Sequence, residues 1–299
     1  MTVAFVLSGG GSLGAVQVGM LSVLGARGIR PDLLVGTSAG AVNAAWVAGH
    51  GMSRESLAEL AALWVSLRRS DVFPAVPGRA LLALAGRARS LFPDTGLRRI
   101  LAANVGIDRL EDAWVPVHVV ATDLLCGEEV LLSSGDPTTA VLASSAIPGV
   151  LPPVERDGTL LVDGGVAHHA AVSRAVDLGA TEIYVLPAGY PCALPKAPRS
   201  ALGVAVQALT LLIEQRLIGE VARYAGAVDV HVLPPLCPLS VSAVDFGHAR
   251  ELIDRAAEAS ETWLADGMTE LPAQERFLSL HRHRNVITQP DEVTSDTHG

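Results

Sequence analysis

The sequence predicts an α/β protein whose largely parallel sheet is covered by helices on both faces. Short apolar runs of strand length, at residues 3–7, 33–35, 117–121, 160–162, 183–186 and 228–233, recur between stretches of helical periodicity. Strands that alternate with helices in this way build a parallel sheet whose two faces both need cover. The first two runs also end in glycine-rich turns that lead straight into helical patterns. Composition agrees: the 299 residues are 49% hydrophobic and 18% charged, with a mean hydropathy of +0.38. That is too apolar for a disordered chain and long enough to bury a sizeable core.

Taken in order, residues 3–7 form a strand, 9–14 a tight turn, and 15–26 a helix with Val16, Met20, Val23 and Leu24 at helical spacing. Residues 33–35 are the next strand, 36–40 its turn and 41–48 the start of another helix. Two loops are expected at 73–78 and 187–198, the second carrying Pro187, Pro191, Pro195 and Pro198. The apolar run 201–213, continued by Leu217, Ile218 and Val221, reads as a helix packed on the sheet, and the run itself is too short to span a bilayer. We expect a single domain over residues 1–281 with a cap-like insertion at about 65–101, and a disordered polar tail over 282–299.

Charge is unevenly distributed. No Asp, Glu, Lys or Arg precedes Arg27, and none occurs from 33 to 53. Turn-forming residues at 8–12 and 36–40 interrupt both runs, so they read as buried strands and helices and not as membrane spans. No basic stretch precedes the first run, as a secretory signal requires. The net charge of −9 argues against a nucleic-acid-binding face. Cys126, Cys192 and Cys237 are odd in number and widely spaced, suggesting neither a disulfide framework nor a zinc cluster, and a reducing cytoplasm is the expected compartment.

Chemistry concentrates at the turns. Gly9, Gly11 and Gly14 satisfy G-x-G-x-x-G, which after a strand and before a helix can cradle a pyrophosphate. That use needs an acid at the end of the second strand, where Gly36 stands, and a Walker loop needs a lysine, of which Lys196 is the only example. The same loop can instead aim backbone N–H groups at a developing oxyanion. Gly36-Thr37-Ser38-Ala39-Gly40 is a G-x-S-x-G at a strand-to-helix turn, the setting of a nucleophile elbow. Alone it reads more readily as a helix N-cap serine. Two such turns one strand apart, both at strand C-terminal ends, favour a site. Asp163, followed by Gly164 and Gly165 at the end of the 160–162 strand, is the candidate base, with a plain Asp-Gly turn as the bland alternative.

Together these motifs resemble the patatin-like phospholipase family. The glycine loop, the elbow and Asp163-Gly164-Gly165 occur in the family's order. Ala121-Thr122-Asp123-Leu124 and Ala143-Ser144-Ser145-Ala146-Ile147-Pro148-Gly149 also look like family segments. The resemblance implies a three-layer α/β/α fold and a Ser38–Asp163 dyad. It further implies an oxyanion hole around Gly10, Gly11 and Ser12, an acyl-enzyme intermediate, and no metal or organic cofactor. The implied substrate is a lipid acyl ester; for the helix of residues 201–224, a wall of the acyl pocket is the alternative to packing on the sheet. Two positions depart from the family pattern: Leu13 stands where an arginine is common, and His168-His169 where an asparagine pair is common. The histidines are expected to tune Asp163 or replace the asparagine hydrogen bonds; a Ser–His hydrolase using either one is an alternative. A silent lipid- or nucleotide-binding protein on the same fold is another.

Between 67 and 101 lie seven arginines (68, 69, 79, 87, 89, 98, 99) and two aspartates, interspersed with apolar residues. This segment reads either as a solvated cap or as a peripheral contact with anionic headgroups.

Overall fold

The computed structural model describes residues 1–167, 171–267 and 280. Strands β1 (Val3–Leu7), β2 (Leu33–Thr37), β3 (Val117–Asp123), β4 (Glu129–Leu132), β5 (Val154–Arg156), β6 (Thr159–Asp163), β7 (Glu182–Leu186) and β8 (Asp229–Val232) form one sheet. Its order is β5-β6-β3-β2-β1-β7-β8, with β4 also paired to β3. The pairings among β3, β2, β1, β7 and β8 are parallel, whereas β4, β5 and β6 pair antiparallel. The short strands β4 and β5 escape the sequence reading.

The central strands are buried on both faces, which is why they read as unbroken apolar runs without alternation. In β1, Phe5 and Leu7 point into one core, and Ala4 and Val6 into the other. The first core is closed by α1 (Gly14–Ala26), α2 (Ala39–His50), α3 (Arg54–Ser66), and further along the chain by α4 (Arg69–Val72) and, after the exposed α5 (Arg79–Leu84), by α6 (Thr95–Asn104). Helix α7 (Pro137–Ser144) joins the same side. The second core is covered by α8 (Ala171–Asp177) and α9 (Ala201–Tyr224), through Val172, Ala175, Leu217 and Val221. Helix α10 (Ala249–Ala265) returns to the first face and supplies Leu252, Ile253 and Trp263. The result is three layers, α/β/α.

One helix is longer than its apolar run suggested. Helix α9 has 24 residues and, among the described residues, is the helix long and apolar enough by length and composition to cross a membrane. It carries Glu214, Arg216 and Glu220 and buries Leu209, Ile213 and Leu217, so here it packs on the sheet.

Register on β3 positions the site. Val120 pairs with Thr37 of β2 on one edge and with Leu131 of β4 on the other. Ala121, the next residue, pairs with Val130 of β4 and with Asp163 of β6. A strand has two edges, so β2 and β6 share the edge opposite β4 and approach end to end. The C-terminal residues of β2 and β6 therefore meet beside Val120 and Ala121.

Candidate active site

Ser38 sits between β2 and α2 with φ 53° and ψ −121°, in the positive-φ region that a side-chain-bearing residue rarely occupies. The sharp turn requires glycine two residues on: a Cβ on Gly40 would lie 2.2 Å from the Leu7 carbonyl oxygen. The turn is held from two sides. Ala41 N–H donates to the Ser38 carbonyl at 2.9 Å, and Ser38 N–H donates to Ser144 Oγ at 2.8 Å. Ser144 Oγ in turn donates to the Val120 carbonyl at 2.6 Å, tying the elbow to α7 and β3.

Ser38 Oγ donates to Asp163 Oδ2 at 2.8 Å. The other carboxylate oxygen, Oδ1, accepts from Gly165 N–H at 2.8 Å. Asp163 is completely buried, and this burial pushes its carboxyl up to about 7, against the opposing pull of the Gly165 N–H and the Ser38 hydroxyl. Its backbone is fixed as well: Asp163 N–H donates to the Ala146 carbonyl at 3.0 Å, and Thr122 Oγ1 donates to the Asp163 carbonyl at 2.8 Å. After Asp163 comes a 3-10 turn, Gly164–Val166, clamped by α9. Arg216 Nη1 donates to the Gly165 carbonyl at 2.7 Å and to the Ala167 carbonyl.

The glycine loop lies against the elbow. A Cβ on Gly9 would come within 3.0 Å of Ser38 Cβ. Gly11 has φ 59°, and a Cβ there would stand 2.4 Å from the Ala243 carbonyl oxygen. Among the described residues the N–H groups of Gly10 and Gly11 have no acceptor, whereas Ser12 N–H donates to the Ala243 carbonyl at 2.8 Å. Ser12 is therefore not an available donor, unlike the sequence expectation. Gly14 instead begins α1, and Leu13, the departure from the family pattern, is fully buried beneath the loop.

Gly11 and Ser38 open onto an apolar cleft walled by Val42, Trp64, Phe73, Leu97, Ile147 and Leu151. The cleft lies on the α2–α3–α6 side of the sheet, so α9 stands outside it and contributes Ile213 and Arg216 to the opposite side of the glycine turns. His168 and His169 lie outside the described residues, as does the 282–299 tail. Among the described residues no group of His, Cys, Asp and Glu side chains fits a metal ion.

Several participants escape sequence reasoning. Gln17 and Asn43 form a buried network: Gln17 Nε2 donates to the Ser8 and Leu186 carbonyls at 2.8 and 2.9 Å, and Asn43 Nδ2 to Gly14 O and Gln17 Oε1 at 2.9 and 2.8 Å. Trp64 Nε1 closes it on Asn43 Oδ1 at 2.8 Å. The available signal was a polar residue within an otherwise apolar helical run, which must find partners when buried. Ser144 and Arg216 carry no comparable signal, because their partners are distant backbone N–H and carbonyl groups.

The Patatin family model, described as patatin-like phospholipase, matches residues 5–175. Patatin-like phospholipase domain-containing protein 7 of Rattus norvegicus is 32% identical over 190 residues, covering 62% of this chain and 14% of that protein. Lysophospholipase nte1 of Aspergillus oryzae is 28% identical over 195 residues, covering 63% of this chain and 12% of its own length. The chain thus spans about one-seventh of the length of the first of these relatives. Among solved structures, VipD from Legionella pneumophila aligns with a TM-score of 0.39 at 15% identity over 85% of this chain and 67% of VipD. With the family model covering more than half of its residues, the chain belongs to the patatin-like phospholipase family.

Proposed function

We propose that the protein is a serine hydrolase of lipid acyl esters, of the phospholipase A, lysophospholipase or esterase type, working through Ser38 and Asp163. The observation that carries this reading is the 2.8 Å hydrogen bond from a strained, cleft-facing serine to a fully buried carboxylate. Family membership and the name of the Aspergillus relative, a lysophospholipase, support the same substrate class.

In this reading Ser38 Oγ attacks the acyl carbonyl while Asp163 takes its proton. Burial makes Asp163 a stronger base than an ordinary carboxylate, yet the serine hydroxyl is still far less acidic, so transfer must be concerted with attack. The negative charge then developing on the carbonyl oxygen is met by Gly10 and Gly11 N–H, each such donor being worth about 3 kcal/mol of barrier. The acyl chain occupies the apolar cleft. Collapse of the intermediate expels the alcohol, which receives the proton from Asp163, and water activated by the same carboxylate releases the acid. The lipid is met at a membrane surface by a peripheral, cytoplasmic protein.

Ser38→Ala and Asp163→Asn should each reduce hydrolysis of a p-nitrophenyl acyl ester by roughly 10⁴-fold or more while the circular dichroism spectrum is retained. A fluorophosphonate probe should label the wild type and leave Ser38→Ala unlabelled. Full activity in either variant would refute the dyad.

A further inference from the structure

We infer that the segment 76–89, standing at the rim of the cleft, is the face by which the protein docks on an anionic lipid bilayer. This inference rests on the reading of the cleft as the acyl site. Val72 of α4 and Leu97 and Ile100 of α6 line the cleft, and the chain leaves the body of the protein between them. It is anchored again at buried Ser90, after which Leu91 and Phe92 N–H donate to the Gly149 and Val150 carbonyls at 2.9 and 3.0 Å. Those carbonyls belong to the loop that brings Ile147 and Leu151 to the cleft. The excursion thus starts and finishes on cleft walls.

Between the anchors, helix α5 buries none of its side chains. Leu81 is 72% exposed and Leu84 83%, with Leu82 and Val76 also exposed. A short helix normally turns its leucines inward; a cluster shown to solvent marks an interaction surface. Around it the charge is basic. Arg87 and Arg89 are exposed and form no ion pair among the described residues, while Arg79 donates to Ser90 Oγ at 2.9 Å. Residues 67–101 carry a net +5 in a chain whose total is −9. An anionic surface would repel most of this protein and attract this segment. Arginines alone would suit any polyanion; leucines at the apex select one with an apolar interior beneath its charges. Docking there sets the cleft mouth against the membrane, so an acyl chain passes from bilayer to cleft with little exposure to water.

The test uses the full chain. Ser38→Ala protein, unable to consume lipid, is sedimented with vesicles of phosphatidylcholine alone and of phosphatidylcholine mixed with phosphatidylglycerol. Binding is expected on the mixed vesicles, weak on the neutral ones, and reduced by high salt. Combining Arg87→Gln with Arg89→Gln should weaken the partition roughly 25-fold, about fivefold per basic residue, and the pair Leu81→Ser and Leu84→Ser should abolish sedimentation. In the active protein both pairs should leave hydrolysis of a soluble short-chain p-nitrophenyl ester unchanged and lower hydrolysis of vesicle lipid at least about tenfold. Equal binding to both vesicle types, or insensitivity to both pairs, overturns the docking face. So does binding to an acidic polypeptide such as polyglutamate in place of the mixed vesicles. Charge- and leucine-dependent sedimentation by a protein that hydrolyses no ester upholds the docking face and removes the hydrolase reading instead.

Discussion

Ser38 holds a backbone conformation that an unconstrained serine avoids, and the cost of such a residue is on the order of 1–3 kcal/mol. Glycine tolerates positive φ, at some expense in unfolded-chain entropy. Ser38→Gly and Ser38→Ala both remove the hydroxyl that Asp163 accepts, so their difference isolates the backbone. Ser38→Gly should be the more stable by about 1 kcal/mol in urea unfolding; equal midpoints would show that the elbow stores no strain. Asp163 makes a prediction in pH. Its carboxyl is raised to about 7 by burial, and only the ionised form can take a proton. The kcat/KM for a neutral ester should therefore fall about tenfold per pH unit below 7 and level off above it. For stability the sign is opposite. The folded state binds this proton more tightly than the unfolded chain, so the stabilisation is full below the ordinary carboxylate range and is lost as pH rises through about 7. Urea unfolding at acid and alkaline pH should show a smaller loss of stability on alkalinisation for Asp163→Asn than for the wild type.

Among the elements, α9 acts on the site from outside the cleft. Arg216 grips the carbonyls of Gly165 and Ala167 and so fixes the turn that presents Gly165 N–H to Asp163. Arg216→Met should lower kcat roughly 100-fold, as misplacement of a reacting group by about an ångström does. KM should change little, and the acid limb should move to higher pH because the Gly165 hydrogen bond holds the Asp163 pKa down. Arg216→Lys should recover part of the loss; an unchanged pH profile in the methionine variant would leave Arg216 a purely structural residue. The same helix buries Glu214, whose carboxyl is likewise pushed up to about 7 by burial. Glu214→Gln removes a charge that is unfavourable once ionised, so in thermal unfolding its advantage over wild type should grow as pH rises through 7.

At the scale of the whole molecule, the sheet brings the two strand ends together and the helices of one face enclose the cleft beside them. Ile147→Trp, filling part of that cleft, should shorten the preferred acyl chain: kcat/KM for long-chain p-nitrophenyl esters should drop while short-chain esters are spared. The parallel core was legible in the sequence because doubly buried strands must be apolar throughout, and β1 and β2 each end at a turn of small residues. The residues Gly9 to Gly14, Ser38 and Asp163 were legible because turns at strand ends tolerate few residue types, and the motifs carry that restriction locally. The antiparallel entry of β6 was not. A short apolar run has no direction written in it, and only pairing with β3 sets Asp163 against Ser38. Nor could sequence show that Ser12 N–H is taken by the Ala243 carbonyl, that Ser144 holds the elbow, or that Arg216 clamps the base. Each is a bond to a backbone atom many residues away, and backbone carbonyls are the same at every position. Sequence alone determined the layer pattern and the chemical identity of the candidate groups, since these follow from local burial and turn sterics. Tertiary structure alone decided which donors face the cleft and how the carboxylate is buried and aimed, since hydrogen bonding and desolvation depend on partners that only folding brings together.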